Sequence, residues 1–126
     1  MDFFDLIDKR RSVRKFSNES IPEEVITKAL EAAVLAANSS NLQPWEFYWV
    51  KSRNKKDDLI KACFSQNAAK TAQELIVAVS RIDTWRRNRN LILKHYKEKG
   101  ELLPIVEKYY NKVVPLAYVH DRIGIL

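Results

Sequence analysis

Two short stretches of the sequence carry side chains that could bind a ligand. The first is RRSVRKF at residues 10–16, which groups four cations around a serine: Arg10, Arg11, Ser12, Arg14 and Lys15. In extended chain Arg10, Ser12 and Arg14 point to one side, because side chains alternate with period two. Two guanidinium groups and a hydroxyl would then offer charge-assisted hydrogen bonds to a phosphate. The alternative is a charged surface turn whose cations lie in water.

The second stretch is NSSNLQPWEF at residues 38–47, between a predicted helix and a predicted strand. Within its positions 39–43, four residues carry hydroxyl or carboxamide groups: Ser39, Ser40, Asn41 and Gln43. These groups donate and accept hydrogen bonds, as the edge of a flat heteroaromatic ring requires. The alternative is a turn with a helix cap, which needs only one or two such residues. Four in five positions followed by Pro44 exceed that need and favour a binding loop.

Several other kinds of site are absent from the sequence. The two glycines, Gly100 and Gly124, exclude a glycine-rich phosphate loop, so a phosphate would be held by side chains and ordinary backbone amides. Cys63 has no partner for an internal disulfide, and we expect it to be a core residue of an amphipathic helix. With only His95 and His120, no metal site and no Cys-His or Ser-His-Asp set is expected.

The totals predict one soluble globular domain over residues 1–126. The chain is 46% apolar and 30% charged, with a net charge of +6. It has no apolar run of about 20 residues and no signal-peptide pattern, which predicts a cytoplasmic protein without a membrane segment. Residues 81–99 hold seven cations and two acids. Such a basic stretch suits nucleotides, phosphates or nucleic acid, or is a solvated helix face.

The elements that would position the two stretches follow from the apolar pattern. A short helix from Phe3 should end near Lys9 or Arg10, and residues 11–19 should be extended. Ser20 and Glu23 form a capping-box pattern, with Pro22 in the first turn of a helix whose apolar periodicity runs to Ala37.

The rest of the chain predicts an α+β protein. Strands are expected at 45–50 and, as a buried strand, at 74–80. Helices are expected at 54–64, 67–72, 83–99 and 101–112, with irregular chain at 113–126. Helices then pack on a small mixed or antiparallel sheet.

The sequence resembles the N-terminal half of the flavin-dependent nitroreductase family. The resemblance is carried by RRSVRKF, by IPEEVITKALEAA and by NSSNLQPWEFYWV, and it covers residues 1–50. It extends more weakly through SQNAAKTAQELIVAVS at 65–80. Beyond residue 81 only a loose likeness remains. The resemblance thus implies a nitroreductase-like fold in which the C-terminal half of the family domain is missing, from either a truncated member or a fragment.

The resemblance implies a homodimer that binds FMN at the subunit interface. Arg10, Ser12 and Arg14 would hold the phosphate and ribityl end. The residues beside the flavin, some of them reaching the partner's cofactor, would be Ser39, Ser40, Asn41 and Gln43, with Gln66 as a further flavin contact. Ala37 stands where many members have proline. NAD(P)H would reduce FMN, and a nitroaromatic, quinone or similar acceptor would then be reduced, with no catalytic side chain required.

Two other functions remain open at this point. If half the cofactor shell is missing, the chain could be a non-catalytic, nitroreductase-like interaction module without flavin. The third hypothesis is nucleic-acid binding through residues 81–90, where Trp85 lies among cations and could stack on a base. For the FMN-dependent oxidoreductase and for the interaction module, the apolar segment 113–126 is expected in a homodimer interface.

Overall fold

The computed structural model describes residues 2–119, and its elements alternate helices with two strands. The helices are α1 (Phe3–Lys9), α2 (Glu23–Val34), α3 (Arg53–Ala62), α4 (Asn67–Thr71), α5 (Trp85–Glu98), α6 (Pro104–Lys108) and α7 (Val114–Val119). The strands are β1 (Trp45–Val50) and β2 (Leu75–Ser80), which pair in an antiparallel sheet. The predicted α+β class is confirmed.

The chain divides into two compact units. The first comprises the described residues of Met1–Lys28 and Tyr48–Val77, and the second those of Ala29–Phe47 and Ala78–Leu126. The single domain expected from the sequence stays a prediction.

In the first unit, α1 runs from Phe3 to Lys9 as expected, whereas the start of α2 differs from the expectation. Asp2 caps α1: its carboxylate accepts from the Asp5 backbone at 2.8 Å, while the Asp5 carboxylate accepts from the Asp2 backbone at 3.2 Å. The predicted box at Ser20 is wrong, because α2 begins at Glu23 and the Pro22 carbonyl accepts from Val25 at 3.0 Å. Ser20 therefore lies outside the helix end.

The end of α2 and the burial of β2 also differ from the expectation. Helix α2 stops at Val34 rather than at Ala37. Strand β2 alternates between half-buried and exposed side chains, and Ile76 is exposed. The prediction of a buried strand is wrong, because successive side chains point to opposite faces of the sheet and those on one face are exposed.

Helices α3 and α5 end in the same hydrogen-bonded motif with different residues. After α5, Gly100 takes φ +68°, and the Glu101 N–H donates to the Tyr96 carbonyl at 2.9 Å. After α3, Phe64 takes the equivalent position at φ 54°, and the Ser65 N–H donates to the Ile60 carbonyl at 2.9 Å. Glycine occupies this left-handed position without strain, whereas phenylalanine does not.

The core of the second unit forms around α5 and the C-terminal helices. Its buried members are Leu42, Trp85, Tyr110 and Val114. Trp85 stacks on Tyr118 with ring centroids 5.5 Å apart. Because Leu42 belongs to this cluster, the residues on either side of it are anchored to the core.

The C-terminal helical region differs from the prediction at both ends. It begins at Pro104 rather than at residue 101, and it continues through Val119 where irregular chain was expected. Between α6 and α7 the turn Tyr109–Val113 is π-helical, and the Val114 N–H donates to the Tyr109 carbonyl. Pro115, which lacks an N–H, lies two residues after the end of this wider turn. The remainder of the predicted segment, 120–126, lies outside the described residues.

Candidate functional site

The basic segment begins where α1 ends. Arg10 closes the helix, its N–H donating to the Leu6 carbonyl at 3.0 Å, and then turns into extended backbone with ψ 129°. The Arg11 guanidinium folds back and donates to the carbonyls of Asp8 and Arg10, at 2.5 and 2.9 Å. Arg11 therefore caps the negative end of the helix, as a cation there should.

The three residues predicted to bind phosphate have free side chains. Arg10, Ser12 and Arg14 are exposed and make no side-chain hydrogen bond or ion pair within residues 2–119. The chain after them is tied down, because the Phe16 N–H donates to the Thr71 hydroxyl at 3.1 Å. Two free guanidinium groups and a hydroxyl on a tethered segment are a suitable donor set for a phosphate.

Gln66 lies in the same unit, at the start of α4. Its side chain is exposed, and no partner for it is found in the described part of the chain. Phe64 and Ser65, directly before it, both have positive φ, at 54° and 53°. A free carboxamide thus follows a constrained turn.

In the second unit, the polar loop Ser39–Gln43 has an unusual backbone. Ser40, Asn41 and Gln43 take φ values of 56°, 48° and 45°. The left-handed region is costly for residues with a Cβ, although Asn tolerates it better than most. Three such residues in four positions require the surroundings to hold the loop in place.

Two tyrosines hold the loop at Ser40. The Ser40 and Tyr109 hydroxyls are hydrogen-bonded at 2.7 Å, and the Tyr110 hydroxyl donates to the Ser40 carbonyl at 2.9 Å. Burial raises the pKa of Tyr110, so its phenol stays protonated and donates at neutral pH.

Two asparagines hold the other end of the loop. The Asn38 side chain accepts from the Gln43 N–H at 2.7 Å, and the Asn88 side chain donates to the Leu42 carbonyl at 2.8 Å. With Leu42 only 1% exposed, both the backbone and the central side chain of the loop are fixed.

The polar atoms that remain are suited to the edge of a flavin ring. The Gln43 amide nitrogen donates to the Asn41 side-chain oxygen at 3.2 Å. This leaves the Ser39 hydroxyl, the Asn41 amide nitrogen and the Gln43 side-chain oxygen without partners among the described residues. Two possible donors and an acceptor fit a ring that carries carbonyls, ring nitrogens and an N–H. The residues present therefore fit the FMN that the resemblance implies.

A cleft of about 310 Å³ lies beside this loop, between Asn41–Gln43 and the first turns of α5. Its α5 wall is formed by Arg87, Asn88, Leu91 and Ile92. A cleft of this size accommodates a small molecule, and its walls combine polar and apolar groups.

The start of the basic stretch that follows β2 makes internal contacts. Arg81 binds Glu46 at 2.8 Å and Asp83 through two nitrogens, and this pairing lowers the pKa of Asp83 to about 2. Trp85 is 6% exposed, with the Arg86 guanidinium 4.7 Å from its ring centre. The prediction that Trp85 could stack on a base is wrong, because the ring is buried.

The predicted site residues fall in both units. The first unit contains Arg10, Ser12, Arg14 and Gln66, and the second contains Ser39, Ser40, Asn41 and Gln43. The second set is brought together in one loop. Convergence of the two sets on one ligand stays a prediction.

Sequence reasoning missed the residues that hold the loop. Tyr109, Tyr110 and Asn88 are far from it along the chain, in helices that resemble solvated charged helices in the sequence. The only available signal was a pair of tyrosines in a charged helix, and it did not indicate a partner.

The fold and the two stretches define an α+β protein with an exposed basic segment and a rigid polar loop. The family model described as "Nitroreductase family" matches residues 7–104. The chain therefore belongs to the nitroreductase family.

Individual relatives agree with this assignment. The chain is 44% identical over 55 residues to iodotyrosine deiodinase 1 of Sus scrofa, a match that covers 44% of this chain and 19% of that protein. It is 36% identical over 69 residues to the NADH dehydrogenase of Thermus thermophilus, covering 55% and 34%. These matches span about a third or less of the relatives' own lengths.

A solved structure confirms the fold. A protein described as a nitroreductase, from Exiguobacterium sibiricum in complex with FMN, superposes with a TM-score of 0.66 at 29% identity. The superposition covers 98% of this chain and 58% of that one. Within residues 2–119, no helix has both the length and the apolar character needed to cross a membrane.

Proposed function

We propose that this chain serves an FMN-dependent oxidoreductase of nitroreductase type. It would pass reducing equivalents from NAD(P)H through FMN to a nitroaromatic, quinone or similar acceptor. The observation that carries the proposal is the free donor set of Arg10, Ser12 and Arg14 on a tethered segment. Family membership, and the FMN complex of the Exiguobacterium protein, support it.

The chain's own residues would bind and orient the cofactor. Arg10 and Arg14 would hold the phosphate, with Ser12 as a neutral donor beside them. Bound FMN would supply the hydride-transfer chemistry, so no side-chain nucleophile is needed. The Ser39–Gln43 loop and Gln66 would hydrogen-bond the ring, and the rigidity of the loop would keep these groups in place.

An absorbance spectrum and an activity assay test this function together. The protein should be yellow after incubation with FMN and removal of the unbound FMN. It should also oxidise NAD(P)H, with a quinone or nitroaromatic as acceptor, faster than free FMN does. A protein that stays colourless after this treatment, and adds nothing to the rate of free FMN, contradicts the proposal.

We further propose that the chain forms a homodimer. Helix α1 leaves four large apolar side chains exposed: Phe3, Phe4, Leu6 and Ile7. In the C-terminal region Val113 and Leu116 are 50% and 56% exposed. A soluble monomer rarely leaves this much apolar surface uncovered, which supports association with a second copy.

Light scattering at low micromolar concentration tests the dimer and its interface. Because Val114 is buried, a substitution is a cleaner test than truncation. Leu116→Glu should shift the mass towards a monomer, whereas Leu35→Glu, at an 84% exposed position outside the proposed interface, should leave it unchanged. A wild-type monomer mass that persists on tenfold concentration rejects the dimer.

The same exposed surface favours one alternative, a non-catalytic interaction module. This alternative predicts a stable oligomer that neither binds flavin nor oxidises NAD(P)H. Reductase turnover above that of free FMN rejects it. The cytoplasmic location expected from the sequence is likewise a proposal.

A further inference from the structure

The cleft beside the polar loop contains one cation whose orientation is fixed. The Arg87 Nε donates to the Asn88 side-chain oxygen at 3.1 Å, and the Asn88 amide nitrogen donates to the Leu42 carbonyl at 2.8 Å. This chain of two hydrogen bonds connects the guanidinium to the rigid loop. Arg87 therefore has a defined position at the wall of the cleft although its side chain is exposed.

Most of the guanidinium remains available to a ligand. Of its five N–H donors, only the one on Nε has a partner among the described residues. Asp83 is close enough for Arg87 to contribute to its lowered pKa, but both Asp83 oxygens are already bound by Arg81, at 2.8 and 2.7 Å. The free Nη atoms can therefore bind a carboxylate in a bidentate manner.

The remaining walls suit a small ring. Leu91 and Ile92 supply an apolar surface beside Arg87, and the Asn41–Gln43 segment forms the other wall. A volume of about 310 Å³ holds one substituted aromatic ring and is too small for a whole dinucleotide.

We propose that this cleft binds a one-ring aromatic carboxylate, with Arg87 as the residue that selects for the negative charge. The proposal rests on the proposed function, because it assigns the class of acceptor that the oxidoreductase would take. It names a specificity-determining residue, since Arg87 would distinguish anionic from neutral acceptors of the same shape.

Calorimetric titration of the full chain with two probes tests the proposal. 4-Nitrobenzoate and 4-nitrobenzamide share size and shape and differ in charge. The wild type should bind the benzoate about tenfold or more tightly, as expected for a charged hydrogen bond. Arg87→Gln should remove this preference. Arg86→Gln, which removes the same charge from a residue over the Trp85 ring and outside the cleft, should keep it.

Three results would overturn the proposal. The wild type could bind both probes equally, the Arg86 and Arg87 variants could lose the preference to the same extent, or FMN could displace the benzoate. Equal losses in the two variants would mean that the preference comes from the general positive charge of the surface. Displacement by FMN would mean that the cleft belongs to the cofactor site. Since the titration needs no flavin, it can succeed or fail independently of FMN binding and turnover.

Discussion

The two stretches with ligand-binding residue types are built in opposite ways. In residues 10–14, the three side chains predicted to bind phosphate have no partner within the described chain, whereas the neighbouring Arg11 guanidinium donates to backbone carbonyls. In the Ser39–Gln43 loop, the carbonyls of Ser40 and Leu42 and the Ser40 hydroxyl are bonded to distant residues, and Asn38 binds the Gln43 N–H. The proposed FMN site would need both features: free cations for the charged phosphate, and hydrogen-bonding groups in fixed positions for the flat ring.

The largest expected effect concerns the core residue of the rigid loop. Leu42→Ala should reduce the free energy of unfolding by about 2–5 kcal/mol, because it leaves a cavity beneath the loop. Urea unfolding followed by circular dichroism measures it. The double variant Arg10→Ala/Arg14→Ala should change stability by no more than about 0.5 kcal/mol, since those side chains are exposed and unpaired. Equal losses in the two variants would remove the contrast between the stretches.

A smaller effect separates the two tyrosines. Tyr110→Phe should cost about 1 kcal/mol, because the Ser40 carbonyl loses its donor in a part-buried place. Tyr109→Phe should cost less, since the Ser40–Tyr109 pair is exposed and water can replace the lost hydroxyl. Denaturant unfolding of both variants measures the two losses in the free energy of unfolding. A larger loss in Tyr109→Phe than in Tyr110→Phe would show that burial does not decide which tyrosine holds the loop more strongly.

The strained turn before Gln66 offers a gain in stability. Phe64→Gly should raise the free energy of unfolding by about 1 kcal/mol, because the residue has φ 54° and its side chain is 88% exposed. Gly100→Ala, at the matching position after α5, should lower it by a similar amount. Loss of stability in Phe64→Gly would mean that the phenyl ring has a packing role.

The smallest effect is a pH dependence in the first unit. The pKa of Glu74 lies below 4.5, chiefly because the Trp49 indole N–H donates to its carboxylate, with the Lys56 ammonium also contributing. Because the folded-state pKa is depressed, this stabilisation is present above pH 4.5 and is lost as the pH falls through the folded value. Glu74→Gln should therefore be less stable than the wild type at pH 7, with the difference shrinking below pH 4.5. A constant difference across that range would contradict the assignment.

Local sequence patterns predicted most of the helices and strands, because the start and the period of such an element depend on residues close together in the chain. The period of α2, the aromatic β1 and the glycine stop of α5 all follow from such local signals. The Ser20 cap failed because Pro22 supplies the carbonyl that starts α2 instead.

The sequence indicated candidate residues for the site but not how the structure holds them. Polar residue types at 39–43 indicate hydrogen-bonding capacity, but their left-handed backbone depends on Tyr110 and Asn88, some 46 to 70 residues away. Arg87 could not be singled out from the sequence, because one arginine among many cations carries no sign of its fixed position.

Binding of FMN compared with riboflavin tests the central claim most directly, since the two ligands differ only in the phosphate. The wild type should bind FMN more tightly than riboflavin, by fluorescence titration. Arg14→Gln should lose roughly 1.5–3 kcal/mol of FMN binding and little of riboflavin binding. Arg11→Gln is the matched control, because Arg11 donates to α1 carbonyls, and it should keep the preference for FMN. Equal affinity of the wild type for both ligands, or equal losses in the two variants, would contradict the account.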